Sequence, residues 1–513
     1  MRILGILDGY RRNIALIGEE LVGKTSIIFK FLSTFTHNRI LIIYLETRSE
    51  SMHAFARRFI GVLLYNFLVN SGIPLKEDLD FLIRKADRFI PRTIEKIKAI
   101  LNAVERNKRN NIFTELLGLL DSFYEETGKA TVVILDEFHN LEAFSVKTLF
   151  REWARLLMTQ KNTMYIIISS KKFRTKSILA KDLSLLFGNF EQIVVEPFDI
   201  HTAGLYLQQE LNYPDLNIGI KNFLVHFTGG HPFYLEIICD FLRQQSQFNL
   251  VEVLEKLLFE SSGVLNQKFS SYIKQFINSN KNNVWLSILY LVSCGKNKIK
   301  DIQAAMRLTR DDLGNRINFL LESDILSRNG DFLKITDRVF AFWLRFVYQE
   351  KIDSLTFNAH NQQLLFRKKV EEAISEFITS CQRPFQDRMT DLLYSFDDDR
   401  MQLETKKIRL SHFREVKHLE FESLNLKYGI LGRSQDCLWI MALKSGSLTE
   451  EDVADFSREC KKYRYKTKRK VIVTLRDIDQ NTRLRALEEN VWAWDLNNLN
   501  QIMDLFSKPW VVA

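Results

Sequence analysis

Cysteine, proline and glycine are all scarce in this 513-residue chain, at five, seven and 20 respectively. The cysteines (Cys239, Cys294, Cys381, Cys437 and Cys460) lie far apart and form no Cys-x-x-Cys pair. That spacing argues against a zinc site and fits a reduced protein without a disulfide framework. So few helix breakers among long Leu/Ile/Phe periodic stretches predict a helix-rich protein. Long apolar runs are missing too: no segment reaches the roughly 18 consecutive apolar residues that a membrane span needs. The opening Met1–Asp8 is too short and too soon charged for a secretory signal. The expectation is a cytoplasmic protein with no membrane partner. Charge is moderate, and a net +9 permits nucleic-acid contact without demanding it.

What is present is an alternation. Short apolar runs at 14–17, 40–45, 131–135, 165–168 and 192–195 are separated by helical patterns. Continuous apolar strands spaced by helices predict an α/β fold with a buried parallel sheet. Residues 51–127 break the rhythm with a long, basic, helical stretch (Arg57, Arg58, Lys96, Lys98), read as a helical insertion between the second and third strands. The domain expectation is therefore a core over 1–199, a helical lid over 200–280, a block of three helices and a wing strand over 281–350, and a mixed α/β domain over 362–513.

The chemistry is concentrated after the first run. Gly18-Glu19-Glu20-Leu21-Val22-Gly23-Lys24-Thr25 matches the phosphate-loop pattern G-x-x-x-x-G-K-[ST], and Ser26 opens a helical pattern behind it. Strand, glycine loop and helix together let backbone N–H groups wrap phosphate oxygens at a helix N-terminus. Lys24 is then placed for the β- and γ-phosphates and Thr25 for Mg²⁺. The third run ends in Asp136-Glu137. An acid at the carboxyl end of a central strand faces the loop, so Asp136 is expected to hold the Mg²⁺ and Glu137 to orient the attacking water. Together the two motifs predict ATP as cofactor, with Mg²⁺, and hydrolysis rather than binding alone.

Phe227-Thr228-Gly229-Gly230-His231-Pro232 resembles the Gly-x-Pro element of the STAND class of P-loop ATPases, relatives of the AAA+ proteins, and most resembles their archaeal-type branch. The resemblance covers about residues 1–350. It implies that Pro232 lies against the base, that the basic element ending in Arg12 lies near base and ribose, and that Ser170 or Ser169 senses the γ-phosphate. Arg151 and Arg155 are candidates for a phosphate-stabilising arginine from a neighbouring subunit, which implies a homo-oligomer or another protein partner. Residues 281–350 are similar to the family's winged-helix domain. If that domain binds double-stranded DNA, Arg310, Asn315, Arg316 and Asn318 sit on its recognition helix.

The tail resembles the PD-(D/E)xK, restriction-endonuclease-like domain often fused to such ATPases. The resemblance places Gln386, Gly429 and Ala442-Leu443-Lys444 where active members carry a glutamate, an acid and E-x-K. Only Lys444 survives, and without acids a hard divalent cation has no anchor. An inactive nuclease fold is expected, with Asp387, Glu420, Glu422 and Asp436 as acids that could restore part of a site. The basic cluster from Lys461 to Lys470 is the second candidate DNA contact. The leading expectation is an ATP-driven switch. A DNA-binding loader or regulator of replication, transposition or recombination, and an ATP-gated defence nuclease, are the alternatives.

Overall fold

The computed structural model describes residues 13–69, 78–106, 111–144, 146, 148–183, 190–211, 217–245, 247–279, 284–350, 358–404, 406–422, 425–463 and 468–512. Two compact units divide the chain, residues 1–197 and 198–513.

In the first unit the five apolar runs form β1 (Ile14–Gly18), β2 (Ile40–Glu46), β3 (Ala130–Asp136), β4 (Thr163–Ser169) and β5 (Glu191–Val195). All pairings are parallel, in the order β2-β3-β4-β1-β5. Every residue of β3 and β4 is buried, as expected of strands covered on both faces. One face, with Leu16, Val132, Ile134 and Ile166, packs on α1 (Lys24–Thr34) through Ile28. The opposite face packs Ile43, Leu45, Val133 and Leu135 against Phe55, Phe59, Leu116 and Phe123. Phe55 and Phe59 come from α2 (Met52–Val69) and Leu116 and Phe123 from α5 (Ile112–Thr127), while α3 (Leu79–Ala86) and α4 (Pro91–Glu105) add Leu82, Ile83, Ile94 and Ile97 to the same core. The helices of 51–127 thus supply a whole layer of the sandwich. α6 (Leu149–Thr159) and α7 (Lys172–Lys181) complete the unit. A five-stranded parallel sheet with a glycine loop between β1 and α1 fits the α/β fold of P-loop nucleotide hydrolases.

The second unit begins with α8 (Ile200–Glu210), α9 (Ile218–Thr228), α10 (Pro232–Arg243), α11 (Leu250–Leu258) and α12 (Val264–Ser279). Then come α13 (Val284–Ser293), α14 (Ile299–Met306), α15 (Arg310–Glu322) and a hairpin of β6 (Leu326–Asn329) and β7 (Phe332–Ile335). After α16 (Arg338–Trp343), the long α17 (Ala359–Gln382) returns to the helical core, where it packs on α9 and α11 and buries Phe366, Val370 and Phe377. α18 (Phe385–Tyr394) and the hairpin β8 (Asp399–Leu403) and β9 (Lys406–Leu410) lead into the last sheet. That sheet runs β10 (Glu415–Glu420), β11 (Tyr428–Arg433), β12 (Leu438–Lys444), β13 (Lys468–Thr474), β14 (Val491–Trp494), with α19 (Glu450–Glu459), α20 (Gln480–Glu488) and α21 (Leu496–Leu505) between or after its strands. Its first two pairings are antiparallel and its last two parallel.

Candidate phosphate-binding site

The loop is shaped by two left-handed residues, Leu21 (φ 59°) and Gly23 (φ 99°), the latter capping α1. Gly18 has a steric reason as well: a Cβ there would lie 2.6 Å from the Val195 carbonyl oxygen of β5. Between them Val22 is buried and anchors the loop, while Glu20 and Leu21 point to solvent with Ser26 behind them. Lys24 is only 4% exposed and donates its ammonium to the Glu19 carbonyl. Burial lowers its pKa below the ordinary lysine value, and the Glu137 and Asp136 carboxylates oppose that shift. Lys172 pairs with Glu19 at 2.9 Å and Lys171 with Glu20 at 3.3 Å, so lysines at the start of α7 neutralise both loop acids.

Asp136 meets the loop directly. Thr25 Oγ1 donates to its Oδ2 at 2.9 Å across 111 residues of sequence. The Tyr44 hydroxyl donates to the same oxygen at 2.9 Å, and the Glu137 N–H to Oδ1 at 2.9 Å. Burial, together with the bond to Asp136, raises the Tyr44 pKa and keeps the phenol protonated. Thr47 holds the turn from behind, its hydroxyl donating to the main-chain carbonyls of Asp136 and Glu137. A hydroxyl and a carboxylate at one point are hard oxygen donors, the set Mg²⁺ takes.

Glu137 itself adopts a left-handed backbone (φ 50°) uncommon for a residue with a side chain. Its Oε2 accepts from the Ser170 N–H at 3.0 Å and the Ser170 hydroxyl at 2.9 Å. His139 Nδ1 lies 3.2 Å from the same oxygen and 2.9 Å from Ser169 Oγ. Burial lowers the His139 pKa, partly opposed by Glu137, so the ring is neutral near pH 7. Ser170, expected to sense the γ-phosphate, is here hydrogen-bonded to the Glu137 carboxylate.

The structure thus brings together Gly18–Thr25, Asp136, Glu137 and Ser170. Pro232 belongs to the second unit, where it starts α10 after the turn at Gly229 and Gly230. Gly230 is required there, since a Cβ would sit 2.0 Å from the Phe198 carbonyl oxygen. Arg12 lies outside the described residues. Arg151 is exposed beside Asp182 at 3.7 Å. Sequence reading missed Tyr44, Thr47, His139 and Lys172. The one signal that could have found a member is the match of two loop acids, Glu19-Glu20, with two lysines, Lys171-Lys172, after β4.

The C-terminal positions also meet. Gln386 Nε2 donates to the Gly429 carbonyl at 2.7 Å, so the positions aligned on the first helix and second strand are neighbours. No acid fits at 429, because a Cβ there would lie 2.2 Å from the Phe421 ring and 2.6 Å from the Met441 carbonyl oxygen. Lys444 is tied to Asp452, a fully buried carboxylate that also caps α19 through Thr449. Asp387 faces His418 at 3.6 Å and Glu422 pairs with Lys462 at 2.7 Å. Among the described residues no three His, Cys, Asp or Glu side chains gather as a metal site. In the basic cluster, Arg469 lies over the Trp492 ring at 4.0 Å and Lys470 donates to Ser457 and to the Glu489 carbonyl. These cations are occupied internally.

No family profile and no functionally characterised protein sequence matches the chain. Among solved structures, the chain is similar to a Walker-type ATPase of Pyrococcus abyssi at 17% identity and a TM-score of 0.49, over 67% of this chain and 93% of that one. It is similar to the ORC2 protein of Aeropyrum pernix, solved as ADPNP-ADP complexes, at 9% identity and 0.39, over 73% and 92%. The ORC1 protein of Aeropyrum pernix, solved in complex with DNA, follows at 11% identity and 0.33, over 67% and 89%.

Proposed function

We propose that the first unit binds and hydrolyses ATP and that the chain is a nucleotide-driven switch of the STAND kind. The observation that carries this reading is the Thr25–Asp136 hydrogen bond, which joins loop and strand end at one point. Backbone N–H groups of the loop and the α1 N-terminus supply positive potential to the phosphates. Lys24, held by a neutral carbonyl, is free to exchange that partner for a phosphate oxygen. Thr25 and Asp136 are the groups that would hold Mg²⁺, which neutralises phosphate charge when bound. Glu137 is placed to take the proton of the attacking water while Ser170 fixes its carboxylate.

We read α13–α15 with the β6–β7 hairpin as a winged helix, supported by the order of three helices and a two-stranded hairpin. We read the C-terminal domain as an inactive PD-(D/E)xK-like fold, supported by the Phe421 ring that fills the space of a β11 acid. Steady-state ATP turnover of Lys24→Ala and Glu137→Gln tests the main proposal. Each change should lower turnover by about a hundredfold or more. Unchanged turnover in both would overturn the site.

A further inference from the structure

Within the second unit, the three-helix block and its hairpin face a corner of the C-terminal domain across a cavity of about 490 Å³. Lys298, Lys300, Arg310 and Arg328 line it from one side and Asp397, Asp398 and Asp399 from the other. Two ion pairs close the corner: Lys298–Asp399 at 2.6 Å and Lys300–Asp397 at 2.6 Å. The first is built into the interior, with Asp399 only 3% exposed. A carboxylate is kept there only by a paired cation. Arg310 and Arg328 are exposed and have no ion pair among the described residues.

The hairpin tip is closed by the same segment. Asp331 N–H donates to the Arg400 carbonyl at 2.9 Å, and Arg400 N–H returns a bond to the Asp331 carboxylate at 2.8 Å. The Asn329 amide makes the equivalent exchange with the main chain of Gln402, at 2.9 and 2.6 Å. Between them Gly330 (φ 62°) touches the strand so closely that a Cβ would lie 2.1 Å from the Arg400 carbonyl oxygen. Phe332, at the hairpin's return, is fully buried in the C-terminal core against Phe506.

We propose that residues 397–402 are an internal competitor for a polyanion-binding face of the three-helix block, and that the external partner is the backbone of a nucleic-acid duplex. The cations come from three separate elements, and Lys300, Arg310 and Arg328 among them are exposed, which suits a repeating chain of phosphates better than one small anion. Arg310, Gly314 and Asn318 form one stripe of α15 at four-residue spacing, and Gly314 leaves open space in its middle. Asp311 and Asp312 fall off that stripe, and Asp312 is turned back onto its cap, Thr309, at 2.8 Å. The carboxylates of Asp397 and Asp399 take the places that phosphates would take on Lys300 and Lys298. The inference rests on the winged-helix reading and is independent of ATP turnover.

The test is fluorescence anisotropy of a labelled DNA duplex with the full chain at low salt, comparing the native protein with Asp397→Asn/Asp399→Asn and, as a second way of prising the contact open, Gly330→Val. Tryptic cleavage at Arg400 reports opening. The opened forms should bind about tenfold more tightly, as expected when the interior Lys298–Asp399 pair and the exposed Lys300–Asp397 pair both cease to compete for the cations. Adding Arg310→Glu and Arg328→Glu should remove the gain. Glu450→Gln/Glu451→Gln, which removes the same charge elsewhere, should change little. Faster cleavage with unchanged affinity overturns the proposal, as does an equal gain in the charge control or failure of either variant to open the corner. ATP turnover followed in parallel separates the two readings: its absence condemns the phosphate-loop assignment and leaves this one standing.

Discussion

Two lysines in this molecule sit beside carboxylates, and their partners set them apart. Lys24 gives its ammonium to a neutral main-chain carbonyl, while the nearby Asp136 and Glu137 are held by hydroxyls and N–H groups. Lys444 is instead locked to Asp452, whose other duties are to cap a helix and stay out of solvent. Neutral partners can be exchanged for a charged ligand at small cost, whereas a buried ion pair cannot be opened without stranding a charge. A lysine's readiness for chemistry is thus legible in which protein groups it bonds.

Substitutions at the two lysine sites break this comparison most directly. Lys24→Ala should leave the denaturation midpoint nearly unmoved while ATP turnover falls as stated above. Asp452→Ala should do the reverse. It strands Lys444 and removes the carboxylate half of the α19 capping box, for a loss of about 3 kcal/mol by urea denaturation, with turnover per folded molecule unchanged. Ser170→Ala sharpens the contrast on the catalytic side. Losing a hydroxyl bond to a carboxylate should lower kcat by about tenfold with KM unchanged, since the N–H bond remains.

A smaller effect concerns acid stability in the second unit. His226 is packed on Phe377 and Trp510 and bonded to Arg338, and burial with that guanidinium holds its pKa well below the ordinary value. The folded state therefore keeps the ring neutral. The unfolded chain takes up a proton below about pH 6.5, so stability falls as pH drops through that range. Asp504, bonded to Lys334 at 2.6 Å and to Arg338, is held below the carboxylate range and adds a second loss below about pH 4. His226→Phe should flatten the urea-stability profile between pH 7 and 5 by up to about 1.4 kcal/mol per pH unit. The phosphate-loop unit contains neither group.

The sheet and its loop were readable because a buried parallel strand is written as a continuous apolar run, and every run from 14–17 to 192–195 lies within a strand. The pair Asp136-Glu137 was readable because it ends such a run. Ser170 was legible as a residue but not in its role, because a serine at a strand end carries no record of which carboxylate it will meet. The Asp452 cap is local and follows the Thr-x-x-acid spacing, whereas its bond to Lys444 depends on how β12 and α19 fold back on each other. Least legible were the contacts of Asn329 and Asp331 with residues about 70 positions on, made by ordinary turn residues.

Phe332 carries a consequence for how the chain is made. During vectorial synthesis it leaves the ribosome well before Phe396, Trp439 and Phe506, the rings of the core that will enclose it. For that interval the hairpin presents a bare aromatic ring, so a nascent chain stalled between the hairpin and the last helix should recruit holdase chaperones. The finished C-terminal core, in turn, encloses a residue that was synthesised before any of its own strands.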